Sequence, residues 1–210
     1  MIFVNYKTYE SGTGEKALSM SKMIEEVSQT SGVKIIPVVQ ALDIKEITSN
    51  VSIEVWSQKI DPVTPESVLE DGAIGTFLNH SENRFIDFET LSTAHDRTKE
   101  IGLKTLIFAK DIEELEKISS LRPDFISYEP LELIGSKDVS VATAKPEVIS
   151  YAATISKNAG IPLIVGAGIH SSQDVKKCLE LGAIGVAVAS DIMNAVDPKK
   201  ELLDLVEGFQ

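Results

Sequence analysis

Three short segments of this chain carry side chains able to move a proton beside a carbonyl group. They are Asn5-Tyr6-Lys7, Asn79-His80-Ser81-Glu82 and Tyr128-Glu129-Pro130. Lysine supplies a fixed cation, histidine can polarise a carbonyl oxygen, and a carboxylate can take a proton from carbon. Such a set suits chemistry on an anionic substrate. Each segment closes a short apolar run, at Ile2–Asn5, Ile74–Leu78 and Phe125–Tyr128. If these runs are parallel strands of one barrel, their C-terminal ends open on a common rim, and three distant segments meet there.

The elements that must position them follow from the pattern. Strands are expected at Ile2–Asn5, Lys34–Val38, Ile53–Trp56, Ile74–Leu78, Lys104–Phe108, Phe125–Tyr128, Leu163–Val165 and Ile184–Val188. Between most of them lie amphipathic stretches, clearest at Glu15–Gln29, Phe88–Glu100, Ile112–Ser120, Pro146–Asn158 and Ser172–Leu181. A last one, Pro198–Val206, follows the final strand. Strands alternating with helices give a parallel sheet, and eight such units can close as a (β/α)8 barrel. Gly32, Gly72, Gly102, Gly160 and Gly182 stand shortly before strands, where helices end. Asp111 reads as an N-cap and Pro146 as a first-turn residue. The echo of Asp71-Gly72-Ala73-Ile74-Gly75 in Leu181-Gly182-Ala183-Ile184-Gly185 fits repeated βα units. An open doubly wound sheet is the rival architecture, but the first turn here is Asn5-Tyr6-Lys7-Thr8, without a G-x-G-x-x-G. With no linker or composition shift, residues 1–210 read as one α/β domain.

Bulk composition excludes several classes of function. The net charge of −12 opposes non-specific binding to nucleic acid or to an anionic membrane. No stretch approaches the ~20 apolar residues that span a bilayer. Met1-Ile2-Phe3-Val4 lacks a basic flank and a cleavage site, so it reads as a strand and not as a secretion signal. Cys178 is the single cysteine, which rules out an internal disulfide and suits a reducing, cytoplasmic setting. An acidic chain that takes an anion must build a local positive site. Lys7 and backbone N–H groups at helix N-termini are the candidates.

A loop lysine is usually solvated. Lys7 stands out because Asn5 shares its strand-end parity and few other cations follow a strand. Of the three histidines, His95 falls within a helix pattern and is expected to be a packing or surface residue. His170 lies near a possible phosphate loop but has no acid beside it in sequence. His80 sits among polar groups directly after a buried strand and is the catalytic candidate. Pro130 confines Glu129 to extended backbone at its strand end. The stretch Leu131–Ala144 is longer than the ~2–6 residues usual for a strand-to-helix connection and reads as a lid. Gly166-Ala167-Gly168 and Ala189-Ser190 follow the last two strands, where small residues let a phosphate reach backbone N–H groups.

Taken together these segments resemble triosephosphate isomerase, most of all its compact archaeal branch. The resemblance runs from Asn5-Tyr6-Lys7-Thr8-Tyr9 through Gln58, Leu78-Asn79-His80-Ser81-Glu82-Asn83-Arg84, Glu129-Pro130-Leu131-Glu132-Leu133-Ile134-Gly135 and Ala144-Lys145-Pro146-Glu147 to Gly166-Ala167-Gly168-Ile169 and Ala189-Ser190. It implies a TIM barrel that interconverts D-glyceraldehyde 3-phosphate and dihydroxyacetone phosphate through an enediolate. A carboxylate base working with a neutral imidazole under a closing lid is the family's known pattern. It implies Glu129 as base, neutral His80 as electrophile, Lys7 and Asn5 as stabilisers of the oxyanion, and Glu82 as the acid bracing Lys7. Substrate contacts are implied for Asn5, Tyr6, Lys7, Ile134, Gly135, Gly168, Ala189 and Ser190. No metal or organic cofactor is implied, and the partners are a triose phosphate and further copies of the chain, as homodimer or tetramer.

Three departures stand out. The loop Lys59–Thr64 after strand three is shorter than in the family, where it reaches a partner subunit, so a weaker dimer is expected. Asp191 stands where a small neutral residue is usual; it is expected to turn from the phosphate and cap the next short helix. The lid reads Gly135-Ser136-Lys137-Asp138, without the usual second glycine. Two alternatives stay open: another phosphate-gripping barrel isomerase, or a barrel that binds a sugar phosphate without turning it over.

Overall fold

Apolar residues on both faces of most strands demand a layer on each side, and the chain supplies a packed interior and a coat of helices. The computed structural model describes residues 1–61, 63–129 and 146–210. Its strands are β1 (Ile2–Asn5), β2 (Ile35–Val39), β3 (Trp56–Ser57), β4 (Gly75–Leu78), β5 (Lys104–Ala109), β6 (Phe125–Tyr128), β7 (Leu163–Val165) and β8 (Gly185–Val188). They form a closed, all-parallel barrel in sequence order, a (β/α)8 barrel. Closure is through β1, where Ile2 pairs with Ile35 of β2 and Val186 of β8. The lid stretch Leu131–Ala144, with Ile134 and Gly135, lies outside the described residues.

Around the barrel run α1 (Gly14–Ser31), α2 (Ile44–Thr48), α3 (Pro65–Glu70), α4 (Phe88–Glu100), α5 (Ile112–Ser119), α6 (Pro146–Ala159), α7 (Ser172–Glu180), α8 (Ser190–Met193) and α9 (Pro198–Glu207). The long ones coincide with the amphipathic stretches. The short helices α2, α3 and α8, of 5, 6 and 4 residues, fall outside them, being too short to print a 3.6-residue period on the sequence. Local punctuation acts as its chemistry requires. Asp111 accepts the Glu114 N–H to start α5, and Gly32, at φ 72°, ends α1 by donating to Ser28 O.

Two cores result. Phe3, Trp56, Phe77, Leu106, Phe108 and Ile164 fill the barrel, whereas alternate residues such as Ile2, Val4, Ile35 and Val39 pack outward under the helices. The interior is unusually aromatic, with ring centroids of Phe3 and Trp56 5.0 Å apart and of Phe77 and Phe108 4.8 Å apart. This floor lies directly under the rim that carries His80. It is also closely fitted: a Cβ on Gly75 would stand 2.5 Å from the Trp56 ring. Gly75→Ala is therefore expected to destabilise the fold by ~1–3 kcal/mol through overpacking, read as a lowered urea midpoint with an unchanged slope.

Of the two places expected for His95, surface or packing, the structure gives the packing one. Buried on α4, His95 places Nε2 3.0 Å from Leu121 O and Nδ1 3.2 Å from the Thr105 hydroxyl.

Candidate active site

β1 delivers the first group. Asn5 continues the inward parity of Phe3, so its amide enters the barrel mouth, buried to 3% exposure. Its Oδ1 accepts the Lys7 N–H at 3.0 Å, which holds Lys7 in a left-handed conformation at φ 45°. A non-glycine residue rests there only when its surroundings impose it. The strained turn carries Lys7 Nζ to 3.2 Å from Glu82 Oε1, and Gln58 Nε2 donates to the other oxygen at 3.4 Å. The expected brace of Lys7 by Glu82 is in place, with Gln58 behind it.

β4 delivers the second. Strand parity alone would send Asn79 inward after Phe77. Instead Asn79 takes a left-handed φ of 59° and turns the chain, which brings His80 over the barrel interior. The Asn79 amide secures this turn outside the mouth. It donates to Phe108 O at 3.0 Å and to Glu114 Oε1 at 3.1 Å, and accepts the Phe85 N–H at 3.2 Å. Arg84 pairs with the same Glu114 carboxylate. His80 then lies 4.9 Å, edge to face, from Phe108.

The Glu82 N–H points at His80 Nδ1 over 3.2 Å. A backbone amide can only donate, so Nδ1 is an acceptor and the ring proton is assigned to Nε2. Burial, reinforced by the Lys7 and Arg84 charges, pushes the imidazole pKa down to about 3. The ring is therefore neutral at any physiological pH, with its N–H on Nε2. Asn5 Nδ2 lies 3.3 Å from that atom. Because Asn5 Oδ1 holds Lys7, both facing groups are donors, and they converge on whatever oxygen occupies the mouth between them.

β6 delivers the third. Glu129 extends the strand, its N–H on Ala109 O at 2.9 Å, and its carboxylate reaches 3.7 Å from His80 Nε2. Burial raises its pKa to about 7, against the opposing pull of Lys7 and of Ser81. Gly166, Gly168, Ala189 and Ser190 complete the opposite wall of one cavity of about 90 Å³ shared with Asn5, Lys7, His80 and Glu129. Gly168 sits at φ 58°, a conformation natural to glycine. The cavity suits a ligand of a few carbon atoms and an anionic group.

Two expectations are corrected. Tyr6 does not reach the cavity: it is fully buried behind the strand, its hydroxyl 2.8 Å from Ser21 Oγ on α1, because odd residues of β1 point in and even ones out. Asp191 does not cap α8, whose N-cap Ala189 has no side-chain acceptor. It lines the cavity and pairs with His170 Nδ1 at 2.7 Å. His170 therefore does have an acid beside it, supplied from beyond the next strand. Tyr9 and Phe108 also line the mouth. Tyr9 had no distinguishing sequence signal beyond closing the first segment, and Phe108 had only its place at a strand end. The bracing roles of Asn79, Arg84 and Glu114 depend on contacts across 30 and 35 positions, which no local pattern reports.

A family model described as triosephosphate isomerase matches residues 1–208. The chain belongs to the triosephosphate isomerase family. The triosephosphate isomerase of Saccharolobus solfataricus is 40% identical, over 98% of this chain and 94% of its own. That of Methanothermus fervidus is 38% identical, over 98% and 97%. Among solved structures, orotidine 5'-phosphate decarboxylase from Pyrococcus horikoshii aligns with a TM-score of 0.68 over 100% of both chains at 16% identity, a likeness of fold alone. As a triosephosphate isomerase the chain is an aldose–ketose isomerase, acting at a glycolytic step. Compact archaeal relatives among those matched accord with the branch that the segments resembled.

Proposed function

We propose that this single-domain enzyme interconverts D-glyceraldehyde 3-phosphate and dihydroxyacetone phosphate with Glu129 as the base and His80 as the electrophile. The observation that carries the assignment is the convergence of the Glu129 carboxylate with the neutral Nε2–H of His80, 3.7 Å apart, over an aromatic floor. Glu129 takes a proton from the carbon next to the carbonyl. His80 Nε2–H and the Asn5 amide donate to the carbonyl oxygen as it gains negative charge, and Lys7 stabilises that charge. The protonated Glu129 returns its proton to the neighbouring carbon, so hydrogen moves within the substrate and no external electron acceptor is needed. Gly168, Ala189 and Ser190 hold the phosphate through backbone N–H groups. A base with a pKa near 7 takes a carbon-bound proton more readily than an ordinary carboxylate and is still substantially ionised at neutral pH.

Two features oppose a barrel that merely binds sugar phosphates. Lys7 is held in a strained turn, and Glu129 is buried at a cost that binding alone does not require. A coupled assay following dihydroxyacetone phosphate formed from D-glyceraldehyde 3-phosphate tests the assignment, and absence of turnover at every protein concentration would refute it. The acid limb of kcat/KM should follow Glu129: activity falls about tenfold per unit below about pH 7, and no limb belongs to His80, whose pKa of about 3 lies well below it.

We place self-association in the same proposal, as a homodimer or tetramer, weakened by the short loop between β3 and α3. Ile86, 90% exposed beside the His80 loop, supports it. Specific activity that falls on dilution is the expected sign, and activity constant down to the lowest assayable concentration would indicate a competent monomer. A cytoplasmic setting accords with glycolysis; among the described residues no helix is long and apolar enough to cross a membrane.

A further inference from the structure

The wall of the cavity that follows β7 and β8 carries two ionisable groups that the isomerase chemistry leaves unused. His170 Nδ1 lies 2.7 Å from Asp191 Oδ1, and the Ser190 hydroxyl donates to Asp191 Oδ2 at 3.2 Å. Both His170 and Asp191 line the cavity with Gly168, Ala189 and Ser190. A carboxylate accepts only, so His170 Nδ1 carries the proton in this contact. Nε2 is then the nitrogen that gains or loses one. It is buried and meets no hydrogen-bond partner among the described residues. A buried ring nitrogen left unsatisfied is costly and points to a missing ligand.

Several other ionisable groups face the pair. Asp174, on α7, accepts the backbone N–H of His170 at 3.1 Å and the Ser171 hydroxyl at 2.9 Å. Across the cavity stand Lys7 and Tyr9 from the end of β1, neutral His80 and Glu129. With a neutral ring, the His170–Asp191 pair carries one negative charge and repels a phosphate dianion. With an imidazolium, the pair is neutral and Nε2–H becomes a donor.

We propose that His170 and Asp191 form a proton-linked anion site at the phosphate end of the cavity, in which His170 takes a proton from solvent as a phosphate-type dianion binds. The proposal rests on reading this cavity as the triose-phosphate site. It makes His170 a specificity-determining residue: a dianion is accepted only together with a proton, and the carboxylate of Asp191 holds the ring in place while penalising anions that arrive without one.

Sulfate is the probe, because its charge does not change across the neutral range, and Glu129→Gln is the background, because it removes the other titrating group. In that background sulfate affinity is measured by calorimetry against pH, with each variant's fold checked by its thermal melt. Kd should rise toward about tenfold per pH unit once His170 is neutral. Adding His170→Asn should weaken binding and abolish the pH dependence, since an uncompensated Asp191 remains. Adding Asp191→Asn to that variant should restore affinity at all pH values. A flat pH dependence in the Glu129→Gln background would overturn the proposal, as would a double variant that binds no more tightly than His170→Asn alone. Absence of triose-phosphate turnover with these sulfate results intact would refute the isomerase assignment and leave the anion site standing. Flat sulfate binding with turnover intact would do the reverse.

Discussion

Glu129→Gln removes turnover while the barrel stays folded. The amide keeps the size and hydrogen-bonding reach of the side chain but cannot accept the carbon-bound proton. A positioned general base contributes roughly 10²–10⁴-fold, and kcat should fall by that factor with KM little changed. Near-normal kcat in the coupled assay would show that another group is the base.

The same substitution should raise stability, and the sign follows from linkage. The Glu129 pKa is about 7 in the folded protein against 4.5 for the free side chain. The folded state therefore binds the extra proton between these values, and stability falls as pH rises through them. Above pH 7 the wild-type chain carries a cost on the order of 3–4 kcal/mol, at ~1.4 kcal/mol per pKa unit. Glu129→Gln should therefore melt higher than wild type at pH 8, with the gap closing toward pH 4. A variant that melts lower at pH 8 would contradict burial as the cause of the raised pKa. His80 has the opposite dependence. Its pKa of about 3, against 6.5 when free, gives stability that is complete above pH 6.5 and lost as pH falls toward 3.

Lys7→Met damages both binding and catalysis, with a loss of ~10²–10³-fold in kcat as the cation beside the developing oxyanion disappears. KM should rise too, because Lys7 is the one lysine or arginine among the described residues lining the cavity of a strongly acidic chain. Electrostatics adds a distinguishing readout. Lys7 holds the Glu129 pKa down against burial, so its removal lets that pKa climb further. The acid limb of kcat/KM should then move to higher pH. The substrate phosphate also titrates near ~6, but its limb is common to both enzymes, so the displacement belongs to Glu129. A reduced rate with an unmoved acid limb would mean that Lys7 acts on the substrate alone. Glu82, half-exposed at 46%, passes to solvent when its partner is lost, so little destabilisation is expected.

Both predictions depend on geometry of two origins. Which residues stand at strand ends is legible along the chain. Continuous apolar runs, glycines after helices, the cap Asp111 and the first-turn Pro146 are signals read within a few residues, and they place Lys7, His80 and Glu129 beside a common rim once the strands are parallel. The sequence also determined that the positive site must be local, since −12 of net charge leaves no general attraction for an anion.

What the tertiary structure alone decided is how the side chains face each other there. Parity along β1 turns Tyr6 out of the mouth toward Ser21, although it lies between two site residues. A left-handed Asn79, held by Phe108 O and Glu114 from the next βα unit, reverses the parity of β4 and brings His80 inward. The Glu82 N–H selects the His80 tautomer, and Asn5 reaches His80 across 75 positions. Asp191 meets His170 across 21 positions because β7 and β8 are neighbours in the closed barrel. Periodicity and capping reflect hydrogen bonds and burial within one element, so they can be read along the chain. The tautomer, the left-handed turn and the acid beside His170 are set by atoms from other elements, which become neighbours only when the barrel closes.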